Sequence, residues 1–352
     1  MKEVQQKVLF VSHTDAFGTF RVGSHHLSSA LARNGLNVVH LSTPLSVAHR
    51  IAGRANEARA VAAKRSPIHA PEGVTHIIPT TVLPAGIGLR LPFERWLSAD
   101  FTPADFVLID QPLLWDRSLR KLGRRIIYRP TDTYPHGVKA KRQRQILSEA
   151  DGVVATSGEV LRGLGGLSVP QLVLENGVEY ERHIVTAGQS RTAVYVGAFD
   201  ERLDFDALRQ LATDFHDWTF IVAGEGTVQP PILPTNVILP GPVPYAALPA
   251  LLQECSVGLI PLSNHPSNAG RSPMKLYEYL ATGLRVVSRE TPGIRSDPGR
   301  GIYTYRERAG LSEAFETAAA NPGCNIAGRE LARGYSWRSR AAELESFMRS
   351  LL

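Results

Sequence analysis

The stretch AGRSPMKLYEYLATGLRVV, residues Ala269–Val287, contains a helix start, a helix and the return to a buried strand. Ser272 is of the type that caps helices, and Pro273 suits the first helical position, where its missing N–H costs nothing. Gly283 ends the predicted helix, and the apolar run from Leu284 to Val287 returns the chain to a sheet. Helices that alternate with buried strands in this way predict an α/β domain with a parallel sheet.

The same stretch places charged side chains where a nucleotide can bind. Lys275 falls in the first helical turn, where free N–H groups and the helix dipole attract an anion, and a diphosphate is the expected ligand. Glu278 lies one turn further on, on the face of Met274 and Lys275. Its carboxylate can accept two hydrogen bonds from a ribose diol. The alternative interpretation is an ordinary core helix with a good cap.

Similar units extend from this stretch in both directions along the chain. A polar segment, Tyr180–Thr192, separates two series of strands and helices. We therefore predict two Rossmann-like, doubly wound domains that face each other across a cleft, residues 1–185 and 190–335. The amphipathic helix 336–352 is expected to pack back on the first domain, because Trp337 and Leu344 need an apolar partner. The predicted strands are Val8–His13, Val38–Ser42, Phe106–Asp110, Arg125–Asp132, Gly152–Ser157, Gln171–Gly177, Ala193–Asp200, Trp218–Gly226, Val237–Val243, Val257–Leu262 and Leu284–Glu290.

Three smaller features of the second half fit a nucleotide site. Gly197 and Gly224 follow predicted strands and let the backbone approach a ligand closely. Val243 closes the next predicted strand, where a base can stack. None of the three is specific alone.

In the first half, two side chains at strand ends are candidate bases. Asp132, in the sequence RPTD, falls at the carboxyl end of a predicted strand, where open α/β sheets place their ligands. It is a candidate general base, or else a helix-cap or turn aspartate. His13 follows the first strand and is a second candidate base, or a residue that orients substrate or packs.

Metal and redox signals are weak. The chain has no HExxH, EF-hand or Walker pattern, and its cysteines, Cys255 and Cys324, have no metal-ligand or disulfide spacing. Asp204 and Asp206 form an Asp-x-Asp pair that could hold Mg²⁺, but they precede a helical pattern and fit a helix start better. We therefore expect no metal and no cofactor, and a reducing cytoplasm as the compartment.

The net charge of +6 and the absence of a spanning apolar run describe a basic, non-spanning protein. Basic residues concentrate in Arg117–Arg129 and Lys139–Arg144, which are either solvated helix faces or a surface for anionic lipid or phosphorylated substrates. No zinc-finger or RNA-binding signature accompanies them, so nucleic acid is not the expected partner. The segment Val82–Trp96 mixes apolar, aromatic and basic residues and suits a bilayer interface, or else a buried hairpin or loop.

With these residues in place, the chain resembles the GT-B glycosyltransferases. The second half carries YVGAFD, FIVAGEG, LPGPVPYAALPALLQECSVGLIPL and SPMKLYEYLATGLRVVS in that order. More narrowly, the chain is similar to the GumK-type glucuronosyltransferases of xanthan synthesis, glycosyltransferase family 70. That resemblance runs from the first strand to about Ser288 and includes VLFVSHTDAFGTFRVGSHHLSSAL, IIYRPTDTY, LENGVEYERH and SPMKLYEY.

The resemblance implies a set of roles. Asp132 would be the catalytic base, and Met274 and Lys275 would hold the nucleotide and its diphosphate. The donor would be UDP-glucuronate, with Arg271 or Arg202 as the cation for the sugar carboxylate. The acceptor would be a glycan, a small molecule or a lipid-linked sugar that the first domain takes at the inner membrane surface. Transfer would invert the anomeric centre without a metal.

Two other functions stay open. A related group of retaining transferases carries two glutamates eight positions apart; Glu278 would be the second, but the first would fall at Gly270, which has no carboxylate. A non-catalytic protein that binds a nucleotide or sugar is the third alternative.

Overall fold

The computed structural model describes residues 5–18, 20–51, 57–85, 91–185 and 188–352. The chain divides into two compact units. The N-terminal unit comprises Met1–Glu175 together with Arg340–Leu352, and the C-terminal unit is Asn176–Ser339.

The N-terminal unit contains a doubly wound sheet. Its strands are β1 (Lys7–Ser12), β2 (Asn37–Ser42), β3 (Leu45–Ser46), β4 (Ile68–His69), β5 (Val74–Ile77), β6 (Thr80–Thr81), β7 (Ala104–Ile109), β8 (Gly123–Tyr128), β9 (Gly152–Ala155) and β10 (Gln171–Val173). Eight of them form one sheet in the order β10-β9-β8-β7-β1-β2-β5-β4, and β3 pairs with β6. Only β4 runs antiparallel to its neighbour among the described pairs.

The helices of this unit are α1 (Gly23–Arg33), α2 (Val47–Ile51), α3 (Glu57–Lys64), α4 (Phe93–Trp96), α5 (Gly137–Leu147) and α6 (Gly158–Arg162). The central strand β1 is buried along all but its first residue. This is what the apolar run VLFVS predicts for a parallel strand covered on both faces.

The C-terminal unit contains a fully parallel sheet of six strands in the order β13-β12-β11-β14-β15-β16. The strands are β11 (Thr192–Val196), β12 (Thr219–Ala223), β13 (Val237–Ile238), β14 (Val257–Ile260), β15 (Arg285–Arg289) and β16 (Ile302–Tyr305). The helices are α7 (Phe205–Asp214), α8 (Leu248–Gln253), α9 (Met274–Thr282), α10 (Leu311–Ala319) and α11 (Ile326–Gly334), and α12 (Trp337–Ser350) follows. Two doubly wound parallel sheets confirm the predicted fold class.

Several strands end earlier than the sequence predicts. β8 ends at Tyr128, so Asp132 lies in a bend beyond the strand instead of at its last position. β13 ends at Ile238, so Val243 lies in a loop. A proline follows closely in both cases, Pro130 and Pro240, and proline has no N–H to donate to a sheet. The strands β3, β4, β5, β6 and β16 were not predicted.

The boundary between the units lies at Glu175/Asn176, before the predicted linker. Hydrogen bonds explain why the following residues belong to the C-terminal unit. The Asn176 side chain donates to the Ser272 carbonyl at 2.7 Å, and the Val178 N–H donates to the Tyr335 carbonyl at 3.0 Å. The polar composition of 180–192 indicated a linker, but it did not reveal these long-range bonds.

Residues Arg340–Leu352 cluster with the N-terminal unit. Leu344 and Met348 are fully buried. A Cβ atom placed on Gly152, in β9, would lie 2.9 Å from Leu351 and 3.1 Å from Phe347, so the end of the chain packs directly on this strand.

Candidate functional site

The C-terminal sheet has a switch point between β11 and β14, where the strand order reverses. Open α/β sheets bind ligands at the carboxyl ends of the strands at such a point. A pocket lies there. Its wall comes from the loop after β11, from the end of β14 and from the start of α9, and it includes Tyr195, Ala198, Asp200, Arg202, Leu203, Ile260, Pro261, Leu262, Arg271, Pro273 and Lys275.

Lys275 is the central cation of this pocket. Its Nζ lies 4.2 Å from the centroid of the Tyr195 ring. Burial first, and then the neighbouring charge of Arg271, lower the pKa of Lys275 to about 7, although Glu278 acts in the opposite direction. A lysine in this state gains a full charge when an anion binds beside it.

Gly197 and Gly224 lie where the structure leaves no room for a side chain. A Cβ atom on Gly197 would lie 2.5 Å from Lys275 Nζ and 2.9 Å from the Tyr195 hydroxyl. Gly224 has φ +159°, and a Cβ atom there would clash with the Gly197 carbonyl. The two predicted glycines are therefore adjacent, and any side chain at 197 would displace the lysine.

Glu278 lies one turn along α9 from Lys275 and is buried. Its carboxylate accepts no hydrogen bond within the described residues. Desolvation raises the pKa of Glu278 to about 7, and Lys275 opposes this shift. An acceptor without a partner beside a candidate anion site is ready for an incoming hydroxyl donor.

Arg271 and Arg202 both lie in the pocket wall. The Arg202 Nε donates to both carboxylate oxygens of Asp200 at 3.0 Å. Asp200 therefore fixes the Arg202 side chain and neutralises part of the local positive charge.

The start of α9 differs from the prediction. The helix begins at Met274, Pro273 occupies the cap position, and no side chain caps the helix. Ser272 is not the cap: its Oγ accepts from the Asn176 N–H at 2.9 Å. The N–H groups of the first turn therefore have no side-chain acceptor. Met274 is half-buried at this end of the helix.

Val243 does not line the described pocket. It is half-buried in the loop that follows β13, five residues beyond the end of the strand. The structure therefore does not bring Val243 together with Lys275, and the idea that it closes a strand is wrong.

The Asp-x-Asp pair has the predicted structural role. Asp204 caps α7, and its Oδ1 accepts from the Ala207 N–H at 3.0 Å. Arg308 donates to the same carboxylate at 3.2 Å. No group of three or more His, Cys, Asp or Glu side chains forms a metal site in the part of the chain that the structure describes.

In the N-terminal unit, His13 and Asp132 lie near enough to interact electrostatically. His13 follows β1, and Asp132 follows β8, two strands away in the sheet. Desolvation, Lys139 and Arg59 lower the pKa of His13, and Asp132 raises it. The candidate acid–base residues thus share one edge of this sheet with two cations.

Sequence reasoning missed Gln111, which contacts His13 directly. Its Nε2 lies 2.7 Å from His13 Nδ1, and its Oε1 accepts from the Leu113 N–H at 3.2 Å. The only sequence signal was its place immediately after the strand FVLID.

A buried ion pair adjoins this site and was also missed. Arg129 is 1% exposed, and its Nη1 lies 3.6 Å from Asp110 Oδ2. Asp110 also accepts from Ser12 Oγ at 3.0 Å. Burial raises the pKa of Asp110 to about 6, against the effect of Arg129. The pair joins the ends of β7 and β8 and so anchors the RPTD loop that carries Asp132.

The basic segment Arg117–Arg129 is largely neutralised. Arg117 pairs with Glu149 at 2.7 Å, and Arg120 and Arg125 both pair with Asp151. The segment Lys139–Arg144 lies on α5, which contains no acidic residue. The second segment, not the first, is therefore the stronger source of positive surface charge.

The segment Val82–Trp96 is only partly exposed. Val82 and Leu83 are exposed, whereas Leu91 and Phe93 are buried in the core of the unit. Residues 86–90 lie outside the described part of the chain. The apolar side chains at this end of the segment are therefore largely buried, as its alternative interpretation held, but this end contains the helix α4 and is not a hairpin or loop. None of the described helices combines the length and apolar character required to cross a membrane.

Residues 190–321 match the family model described as "Glycosyl transferases group 1". A curated relative, the putative teichuronic acid biosynthesis glycosyltransferase TuaH of Bacillus subtilis (strain 168), is 27% identical over 183 residues. The match covers 46% of this chain and 46% of that protein, so it spans about half the length of the relative.

Solved structures share the fold over nearly the whole chain. Sucrose-phosphate synthase from Thermosynechococcus elongatus superposes with a TM-score of 0.73 at 14% identity, covering 98% of this chain and 99% of that one. HepE of Anabaena in complex with UDP-glucose gives 0.67 at 16% identity, covering 97% and 100%. The fold is therefore GT-B, as predicted, and the residues that match the glycosyltransferase group 1 model all lie in the C-terminal unit.

Proposed function

We propose that this chain is an inverting, metal-independent glycosyltransferase that takes a sugar, glucuronate, from a UDP donor. The observation that carries the proposal is the pocket at the C-terminal switch point, where three cations meet the uncapped start of α9. Helix N–H groups and nearby cations together bind phosphate groups in proteins. The family match over residues 190–321 supports the same class of reaction.

The donor would occupy this pocket in a defined direction. The diphosphate would lie against the start of α9 and Lys275, and the ribose diol would donate to Glu278. Gly197 leaves room for Lys275 at the diphosphate. Positive charge at this place stabilises the negative charge that develops on UDP as the sugar leaves.

The choice of glucuronate rests on Arg271 and Arg202, which line the same pocket. A sugar carboxylate needs a cation, and the guanidinium group binds a carboxylate through two parallel hydrogen bonds. The description of the Bacillus relative, teichuronic acid biosynthesis, points in the same direction because a uronic acid carries a carboxylate.

In the N-terminal unit, Asp132 would take the proton from an acceptor hydroxyl as that oxygen attacks the anomeric carbon and UDP leaves. The acceptor would be a growing glycan, a small molecule or a lipid-linked sugar in polysaccharide biosynthesis. The basic surface of α5 supports a cytoplasmic location with peripheral binding to anionic lipid. Stronger flotation with anionic than with neutral liposomes would support that location, and equal flotation would contradict it.

The deciding experiment measures UDP release from UDP-glucuronate and UDP-glucose with a panel of acceptors, with and without a chelator. We expect turnover that favours UDP-glucuronate and survives chelation. The anomeric configuration of the product, determined by NMR, separates inversion from the retaining alternative. UDP binding without release in the presence of any acceptor would support the non-catalytic alternative instead.

A further inference from the structure

A hydrogen bond on the side away from His13 holds the side-chain amide of Gln111 in one orientation. Gln111 is 4% exposed and caps the short 3-10 helix Pro112–Leu114. Because Pro112 has no N–H, the Leu113 N–H is the first donor that the cap can serve, and Gln111 Oε1 accepts from it at 3.2 Å. The oxygen of the amide is therefore turned toward the backbone, and its NH₂ group is turned toward His13.

This orientation determines which nitrogen of His13 carries the proton. An amide NH₂ group only donates, so His13 Nδ1, at 2.7 Å from Gln111 Nε2, must offer its lone pair. In a neutral imidazole the proton then sits on Nε2. Rotating the amide by 180° would set its NH₂ group against the Leu113 N–H and would abolish the buried cap bond.

We infer that His13 acts as a neutral hydrogen-bond donor through its Nε2–H, that Gln111 is the positioning residue that holds it in this tautomer, and that His13 is not the general base. The one lone pair of the neutral ring already accepts from Gln111. The Nε2–H would donate to an acceptor-substrate oxygen and keep its proton throughout, while the hydroxyl proton goes to Asp132. The catalytic part of this inference rests on the proposed function, whereas the tautomer does not.

The cations near His13 also favour the neutral ring. Lys139 of α5 and Arg59 of α3 disfavour a cationic imidazole, whereas Asp132, after β8, favours one. A second proton on Nδ1 would also point directly at the Gln111 NH₂ group. His13 nevertheless keeps part of its surface exposed at the edge of the sheet. A neutral donor at this place can therefore face a substrate.

The tautomer can be measured on the full-length protein labelled with ¹⁵N-histidine, with the His13 signals assigned by their loss in His13→Gln. We expect Nε2 to be protonated and Nδ1 to be bare above neutral pH. In Gln111→Glu one carboxylate oxygen can still accept from the Leu113 N–H, while the other accepts from His13. The proton of the imidazole therefore moves to Nδ1, and the His13 pKa rises by about one unit or more.

Gln111→Met removes the donor without adding charge and should leave a mixture of tautomers. Gln171→Glu, on the exposed edge strand β10, adds the same charge elsewhere in this unit and should leave the His13 signals unchanged. An Nδ1–H tautomer in the wild-type protein, or an unchanged His13 spectrum in both Gln111 variants, would overturn the inference.

Activity supplies the second readout. A glutamine at position 13 also presents an N–H donor but accepts no proton from a hydroxyl at neutral pH. We therefore expect His13→Gln to keep at least about tenfold more turnover than His13→Ala. Equal, near-complete loss in both would mean that His13 is the base. If the protein proves to have no transferase activity, the proposed function fails, and the spectra still decide the tautomer.

Discussion

Lys275 should make donor binding depend on pH. Its pKa of about 7 lies below the ordinary value of 10.5 because the ammonium group is desolvated and lies near Arg271. Below pH 7 the ammonium is already charged and UDP binds best. Above pH 7 binding must take up a proton, so the Kd for UDP should rise by up to about tenfold per pH unit. Calorimetry in two buffers of different ionisation enthalpy measures this proton uptake.

In Lys275→Ala the Kd for UDP should no longer rise with pH above pH 7. UDP binding should also weaken by about 1–3 kcal/mol, the usual cost of a lost charge-assisted hydrogen bond. Arg306→Ala, which removes a cation from an exposed site paired with Glu290, is the matched control and should keep both affinity and slope. If the Lys275 variant binds UDP as the wild type does, the diphosphate lies elsewhere.

Glu278 should lower the stability of the folded protein at neutral pH and should also contribute to ribose binding. Its pKa in the folded protein, about 7, is higher than the ordinary 4.5, so folding favours the protonated form. The free energy of unfolding therefore falls as pH rises from 4.5 to 7. Glu278→Gln should raise the melting temperature at pH 8, and the gain should vanish toward pH 4.5. The same variant should weaken binding of uridine as well as UDP.

A lower melting temperature of Glu278→Gln at pH 8 would mean that the carboxylate has a stabilising partner in the folded state. Glu254→Gln, outside the pocket, provides the control for the loss of a carboxylate in the same unit.

Asp132→Asn should separate catalysis from donor binding. The amide keeps the shape of the side chain but takes no proton, so turnover should fall by about 10²–10⁴-fold, the usual contribution of a positioned base. UDP affinity should not change. Asp100→Asn, at an exposed position of the same unit, should retain full turnover. Wild-type turnover in Asp132→Asn would remove Asp132 from the mechanism.

At the scale of elements, α1, β2 and β5 pack three buried histidines together and should make the N-terminal unit sensitive to acid. The ring centroids of His25 and His40 are 5.0 Å apart, and those of His40 and His76 are 5.4 Å apart. Burial lowers the pKa of all three, that of His25 to about 3. In the unfolded chain these histidines take up protons near pH 6.5. Their contribution to the free energy of unfolding is therefore fully present above that pH and declines as the pH falls toward 3.

We expect the melting temperature of the N-terminal unit to fall steeply between pH 6.5 and 4. His40→Met keeps an apolar group of similar size and should flatten this dependence, although it loses the contact with Ser24. His216→Gln, at an exposed position, should keep the wild-type slope. An equally steep slope in both variants would assign the acid sensitivity to other groups.

The alternation of strands and helices was predictable because it depends on local hydrophobic patterns, which survive in any part of the sequence. The converging site residues of α9, Lys275 and Glu278, were predictable for the same reason, since helical spacing alone brings them together. The ends of β8 and β13 were not, and Ser272 was assigned to the wrong partner because Asn176 is distant in sequence. The role of Gln111 depends on its contact with His13, which is distant in sequence. The two residues meet where the strand order reverses, between β1 and β7.

At the scale of the whole molecule, the N-terminal unit should depend on the end of the chain. Leu344 and Met348 are fully buried, and burying each apolar side chain of this size contributes about 1.5–3 kcal/mol. Deletion of residues 340–352 should therefore lower the unfolding temperature of this unit. UDP binding should survive, because every residue of the pocket proposed for the donor lies within Asn176–Ser339.

Calorimetric scans of the deletion variant with and without UDP test this expectation, since a ligand raises the unfolding temperature only of the unit that binds it. Arg349→Ala, which removes an exposed arginine of the same tail, should leave the scan unchanged. If the deletion lowers the unfolding temperatures of both units equally, residues 340–352 stabilise both units and not the N-terminal unit alone.

The N-terminal unit is built from two separate segments of the chain, whereas the C-terminal unit is one uninterrupted segment. Domains generally fold as units during synthesis, in the order in which they are made. The C-terminal unit needs no residue that follows Ser339 in order to fold. The N-terminal unit depends on residues that are made after the whole C-terminal unit, so its surface for Leu344 and Met348 stays uncovered until those residues arrive.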